Sequence, residues 1–164
     1  MFIRAAEEKD RLAIGRVYCE TWQSAYRGLI PEAFLLTLTA ERCAPPRVPI
    51  DRAFVCENEG KVVGIVDFGA SREGNDSSCG EIHSLYVLPA FWRQGVGKAL
   101  FLAAKERLHQ RGYRSIMLWT LADNLHANLF YRKMGMTRGD CRIISIGERN
   151  LREVQYFLSL SVCD

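Results

Sequence analysis

One stretch limits what this chain can become: residues 81 to 121, from EIHSLYVLPAFWRQGVGKAL to SIMLWTL. It reads strand, helix, strand. EIHSLYVL is rich in β-formers, and Pro89 ends it. Val96, Leu100, Ala103, Ala104 and Leu108 then fall on one helical face. Gly112 fits the C-terminal cap of that helix. SIMLWTL is almost wholly apolar, as expected of a strand covered on both faces, with Trp119 in its core. Two strands joined through a helix run parallel with a right-handed crossover. A sheet with helices packed on it is therefore implied.

The rest of the chain extends that sheet by antiparallel pairing. FIRAA reads as a first strand, and Asp10 to Ala25 as a helix with Leu12, Val17 and Trp22 among its apolar residues. Pro31 suits the first turn of a second helix reaching Leu38, and APPRVPI must be an extended connection. Two β-rich runs flank Asn58-Glu59-Gly60, a hairpin signal, and GASREGNDSSCG is a loop. Asp123 or Asn124 caps a short helix ended by Gly135, and CRIISI and EVQYFLSL flank a turn at Gly147-Glu148-Arg149-Asn150. The order is strand, two helices, three strands, helix, strand, helix, two strands. We expect one α+β domain over residues 1–164, a three-layer α/β arrangement with a mixed, mostly antiparallel seven-stranded sheet flanked by helices. A chain of 164 residues is long enough to bury such a core.

Charge and cysteine usage narrow the function. A net charge of +3 without a basic stripe gives no reason to expect a nucleic acid partner. The six cysteines (Cys19, Cys43, Cys56, Cys79, Cys141 and Cys163) show no C-x-x-C spacing, and the three histidines do not cluster with them. We expect no metal site and mostly buried, reduced thiols in a cytoplasmic protein. MFIRAAEEKDR is too polar for a signal peptide, and no apolar run reaches membrane-spanning length.

Gly95 and Gly97 open the central helix, where each costs roughly 0.5–1 kcal/mol against alanine. A Walker A loop fails here, because Trp92 takes its first glycine position and Ala99 its hydroxyl. A dinucleotide fingerprint fails at Leu100. What remains is a glycine turn whose amides, from about Gln94 to Lys98, point at an anion such as a pyrophosphate. A turn that only permits close packing is the alternative.

EIHSLYVLPAFWRQGVGKAL resembles the acetyl-CoA-binding segment of the GNAT superfamily of N-acyltransferases. DNLHANLFYRKMGM resembles that family's N-x-x-A-x-x-x-Y-x-x-x-G-[FM] helix, with Asn124, Ala127, Tyr131, Gly135 and Met136 in the motif positions. The order of elements fits the family over nearly the whole chain. One position departs: Trp92 stands where the pattern [QR]-x-x-G-x-[GA] has Gln or Arg, with Arg93 or Gln94 left to compensate.

The resemblance implies an enzyme that moves the acetyl group of acetyl-CoA to a primary amine of a small molecule or peptide, by direct attack and without a metal. Arg93, Gln94, Gly95, Val96, Gly97 and Lys98 would hold the pyrophosphate. Leu85, Tyr86 and Val87 would lie on a strand splayed from its parallel neighbour, binding the pantetheine arm and polarising the acetyl group. Tyr131 would protonate the departing thiolate, and Asn124 would cap its helix or bind the pantetheine. Freeing a lysine-like amine of its proton at pH 7 costs roughly 4–5 kcal/mol. Glu81 occupies the family's general-base position, with a water relay or steering of the cation as other roles, and His83 is a second base or a substrate contact. Trp22, Tyr26 and Arg27 would wall the acceptor site. The alternative is a non-catalytic acyl-CoA-binding module of the same fold. By analogy, a homodimer would use EVQYFLSLSV as a free sheet edge.

Overall fold

The computed structural model describes residues 1–49, 51–73 and 76–160. Seven strands form one sheet in the order β1-β2-β3-β4-β5-β7-β6. They are β1 (Phe2–Ala5), β2 (Ala53–Asn58), β3 (Lys61–Ala70), β4 (Cys79–Val87), β5 (Ser115–Leu121), β6 (Thr137–Ile146) and β7 (Arg149–Ser159). Only the β4–β5 pair is parallel; the other neighbours are antiparallel. The helices are α1 (Arg11–Ala25), α2 (Glu32–Leu36), α3 (Ala40–Cys43), α4 (Val96–Gln110) and α5 (Leu125–Lys133).

The strand alternation assigns each helix to a face. A Cβ on Gly64 or Gly80 would meet Val96, Leu100 or Leu108, so α4 covers the face those positions share. Tyr18 of α1 hydrogen-bonds Ser84, and its ring meets Tyr86 edge-on, so α1 covers the opposite face. Leu100, Phe101, Ala104 and Leu108 of α4 and Ile14 and Val17 of α1 are buried against the sheet in one core.

Three expectations need correction. The second helix stops at Leu36, and a further turn of helix, α3, follows, capped by Thr39. It packs on α1 at Gly15, where a Cβ would lie 2.0 Å from the Ala40 carbonyl oxygen. β6 and β7 run longer than the apolar runs, with Ile146 paired to Arg149 across a two-residue turn. Finally, β7 is no free edge: it lies between β5 and β6, with both sides paired. The end of EVQYFLSLSV and Cys163 lie outside the described residues. Cys19, Cys56 and Cys79 are buried, Cys43 is half-buried and Cys141 exposed, and all five are free thiols. Among the described residues no helix is long and apolar enough to cross a membrane.

The N-terminal strand is tied to α1 by charge. Arg4 donates to both oxygens of Asp10, at 2.6 and 2.9 Å, and to Glu57 at 2.8 Å. The guanidinium, with the Glu7 amide at 2.9 Å, holds the Asp10 carboxyl below its usual range. A carboxyl so depressed adds stability above its unfolded value of about 3.8, which is lost as pH falls through the lower folded value. Asp10→Asn should therefore cost about 1.5–3 kcal/mol at pH 7. It should also flatten the acid side of the pH–stability curve measured by urea melts. Identical acid slopes in the two proteins would show that the pair contributes nothing.

Candidate active site

β4 and β5 pair only from Cys79 to Glu81 against Ser115 to Met117, although both run on for several residues. Beyond Glu81 they part. A β-bulge on β4 begins the divergence: Ser84 opposes Asp67 and Ile82 opposes Phe68, leaving His83 as the extra residue. The Leu88 amide still donates to Val63 at 2.9 Å. Antiparallel alternation then turns the N–H and C=O groups of Leu85 and Val87 away from β3, into the gap.

The gap opens into a cleft of about 700 Å³ that ends at the start of α4. Trp92 leads into a turn in which Arg93 has φ 60° and Gly95 φ 86°. The first intrahelical bond runs from Ala99 to Gly95, at 3.0 Å. The amides of Arg93 to Lys98 consequently have no acceptor among the described residues. Gly97 faces Phe130 and Leu85, where a Cβ would sit 3.6 and 3.8 Å away and anything larger would fill the cleft. Arg93, Lys98 and Lys133 line the cleft, and no carboxylate does among the described residues. Unfilled amides, a helix N-terminus and uncompensated cations fit an anion such as a pyrophosphate.

Trp92 has a definite role at its divergent position. Its indole N–H donates to the Val87 carbonyl at 2.6 Å, and Thr21 donates to the same oxygen at 3.0 Å. The carbonyl is thus fully used, and the Val87 N–H is left as that residue's open backbone group in the gap. Gln94 is spent on the Ala90 carbonyl at 2.8 Å, which leaves Arg93 as the side chain lining the turn.

Tyr131 reaches the gap from α5, buried between Phe130 and Tyr156. Burial, with the nearby Tyr86 hydroxyl, holds its phenol well above the ordinary range. Tyr26 and Tyr86 approach from the α1 side and are raised by burial too. Asn124 caps α5, accepting from the Ala127 amide at 3.2 Å, and borders the cleft. Trp22 packs edge-on against Tyr26 at 4.9 Å. Its buried N–H makes no hydrogen bond among the described residues.

Glu81 does not meet the cleft, whereas His83 lines it. Glu81 is 1% exposed. One of its oxygens takes Arg72 Nη2 and Nε at 2.5 and 3.0 Å, and the other takes the Arg72 amide at 2.8 Å. Both ring nitrogens of His83 face acceptors, the Ala70 carbonyl at 3.1 Å and Asp67 at 3.6 Å. Arg27 lies exposed beyond the lining, while Trp119 is half-buried and lines the cleft. The sequence reading missed Thr21, Arg72, Arg142 and Glu153, none of which stands in a motif.

Comparison with known proteins places this geometry. An uncharacterized N-acetyltransferase of Bacillus subtilis is 30% identical over 125 residues, covering 74% of this chain and 72% of that protein. A mycothiol acetyltransferase of Pseudarthrobacter chlorophenolicus is 38% identical over 73 residues, 44% of this chain but only 23% of that longer protein. The PaiA N-acetyltransferase of Thermoplasma acidophilum, solved with coenzyme A, superposes with a TM-score of 0.74 at 18% identity, covering 94% of this chain and 96% of that one. A Salmonella typhimurium protein solved with its cofactor acetyl-CoA gives 0.73 at 20% identity, over 100% and 96% of the two chains. At such identities the superpositions speak for the fold. The model of the acetyltransferase (GNAT) family matches residues 14–136, most of the chain and all of the cleft's principal elements, and the chain belongs to that family.

Proposed function

We propose that this protein, a cytoplasmic enzyme, transfers the acetyl group of acetyl-CoA to a primary amine by direct attack. The observation that carries the reading is the continuity of two features. Backbone amides without acceptors, from Arg93 to Lys98, lead into a gap lined by open backbone groups of β4 and closed by Tyr131. The first suits the pyrophosphate and the second a pantetheine arm carrying a thioester. Neighbours solved with coenzyme A and acetyl-CoA support the same assignment.

The carbonyl and the departing sulfur each have a group beside them, and the acceptor amine gives up its proton to cleft water beside His83, which lines the cleft. The Val87 N–H donates to the thioester carbonyl as negative charge develops there. Tyr131, held protonated through the neutral range by burial, meets the leaving sulfur as a donor. Asn124 fixes the start of α5, and with it Tyr131, through its cap on Ala127. Glu81 is a positioning residue: it locks Arg72 and the end of β3 at the mouth of the acceptor side. The placement of Tyr131 favours turnover over mere binding.

Calorimetric titration with acetyl-CoA, using ADP as the control ligand, tests the reading. We expect micromolar affinity for acetyl-CoA and binding of ADP weaker by about tenfold or more, since ADP fills only the pyrophosphate turn. Equal affinities would remove the pantetheine arm from the gap.

A further inference from the structure

A second cavity, of about 140 Å³, lies on the α1 side of the sheet and meets the cleft at Tyr26, His83, Tyr86, Trp119 and Thr120. Its apolar walls are the rings of Trp22, Tyr26 and Trp119 and the side chains of Leu121, Ile144 and Ile146. A cavity of roughly 150 Å³ takes a single benzene-sized group. The space therefore suits one ring or one branched alkyl chain.

Its lining carries Arg72, Arg142 and Glu153, and the ion-pair partners just outside the lining, Glu73 and Glu81, turn the local balance negative. Arg142 lies over the Trp119 ring at 4.1 Å and is held between Glu73 and Glu153. Trp119 donates its indole N–H to the same Glu73 at 3.0 Å. Two carboxylates around one guanidinium leave an excess negative charge. Arg72, the other cation of the cavity, is already answered by Glu81. Glu153 spends one oxygen, Oε2, on Arg142, at 2.8 Å to Nε and 2.7 Å to Nη2. Its other oxygen has no hydrogen-bond partner among the described residues, yet the side chain is only 15% exposed. Strand register orders the cavity. Glu153 stands opposite Leu121 and Arg142, toward the gap, while Ile144 and Ile146 lie toward the β6–β7 turn. Burial chiefly, and the charge of Glu153 to a smaller degree, raises the phenols of Tyr26 and Tyr86.

Resting on the acetyl-transfer reading, with its acceptor on the side walled by Trp22 and Tyr26, we propose that the acceptor is a monoamine with one compact apolar body held in this cavity, and that the open oxygen of Glu153 anchors the ammonium. A partly desolvated carboxylate beside aromatic rings is what a primary ammonium binds best. The body then lies against Leu121, Ile144 and Ile146. A free amino acid would bring a carboxylate against the excess negative charge. A polyamine would thrust a second ammonium among those aliphatic walls.

The test is a tryptophan-fluorescence titration of the coenzyme A-saturated protein with 2-phenylethylammonium, its neutral isostere 2-phenylethanol, and phenylalanine. Trp22 and Trp119 report directly on the cavity. We expect the ammonium to bind at least tenfold tighter than either comparator. Glu153→Gln should bring the ammonium and the alcohol to within about threefold, with coenzyme A affinity unchanged. Ile144→Phe, which fills the cavity and leaves Glu153 in place, should abolish binding of the ammonium. Absence of a preference in the wild type, absence of binding, or a preference that survives Glu153→Gln would overturn the proposal. A protein that binds coenzyme A but fails these tests loses only this inference; one that does not bind coenzyme A loses the reading beneath it.

Discussion

Tyr131→Phe should lower turnover by about a hundredfold while acetyl-CoA binds within about twofold of the wild-type affinity. The variant deletes one oxygen and leaves the ring between Phe130 and Tyr156. Packing is therefore kept, and the missing group is the proposed donor to the departing sulfur. Thiol release from acetyl-CoA in the presence of an amine measures the rate, and calorimetry the affinity. Turnover that is unchanged would remove the acid role. Loss of rate and affinity together would instead show that the hydroxyl holds the ligand in its ground state.

Gly97→Val should weaken acetyl-CoA binding by about a hundredfold or more, with thermal stability held or slightly raised. Gly97 has an ordinary helical backbone, so valine loses nothing in conformation, and removing a glycine from a helix is favourable by about half a kcal/mol. A Cβ alone would rest in normal contact with Phe130 and Leu85. The two γ-methyls have no such room and must enter the space in front of the amides. Gly97→Ala is the graded control, expected to cost a fewfold. If valine binds as tightly as glycine, the turn is a packing feature and the ligand lies elsewhere.

Much of the fold was legible because the periodicities in this chain are long and unmixed. SIMLWTL, the helix after Pro89 and the hairpin at Asn58-Glu59-Gly60 each carry a local signal that tertiary packing did not need to override. α3 is different: four residues hold no period, and the element exists because Gly15 lets it approach α1. The edge assignment of β7 failed for a related reason, since strand order is a property of long-range pairing. In the candidate site, the glycine turn and Tyr131 stood in motifs, and the fold brings them to one cleft. Glu81 was found as a residue but not in its environment, because the Arg72 that engages both of its oxygens lies in a loop without pattern. Trp92 read as a defect at its motif position, yet its indole replaces a ligand contact with a brace on Val87. The residues of the second cavity meet only through register across β5, β7 and β6, which no single stretch of sequence displays.

The narrow junction between β4 and β5 has a consequence for how the molecule opens. Within the sheet, β1–β4 and β5–β7 are joined by three residue pairs. Such a seam divides the sheet into two cooperative units whose opening is cheaper than global unfolding. Native-state hydrogen exchange should find amides of Leu85 and Val87 fast, and those of the β5–β7 ladder slow. A ligand lying along the seam acts as a strut between the units and suppresses their separation by mass action. Occupancy of the gap and cooperativity of the sheet are then a single property, and the unpaired backbone at the centre of the sheet is the backbone proposed to meet the thioester.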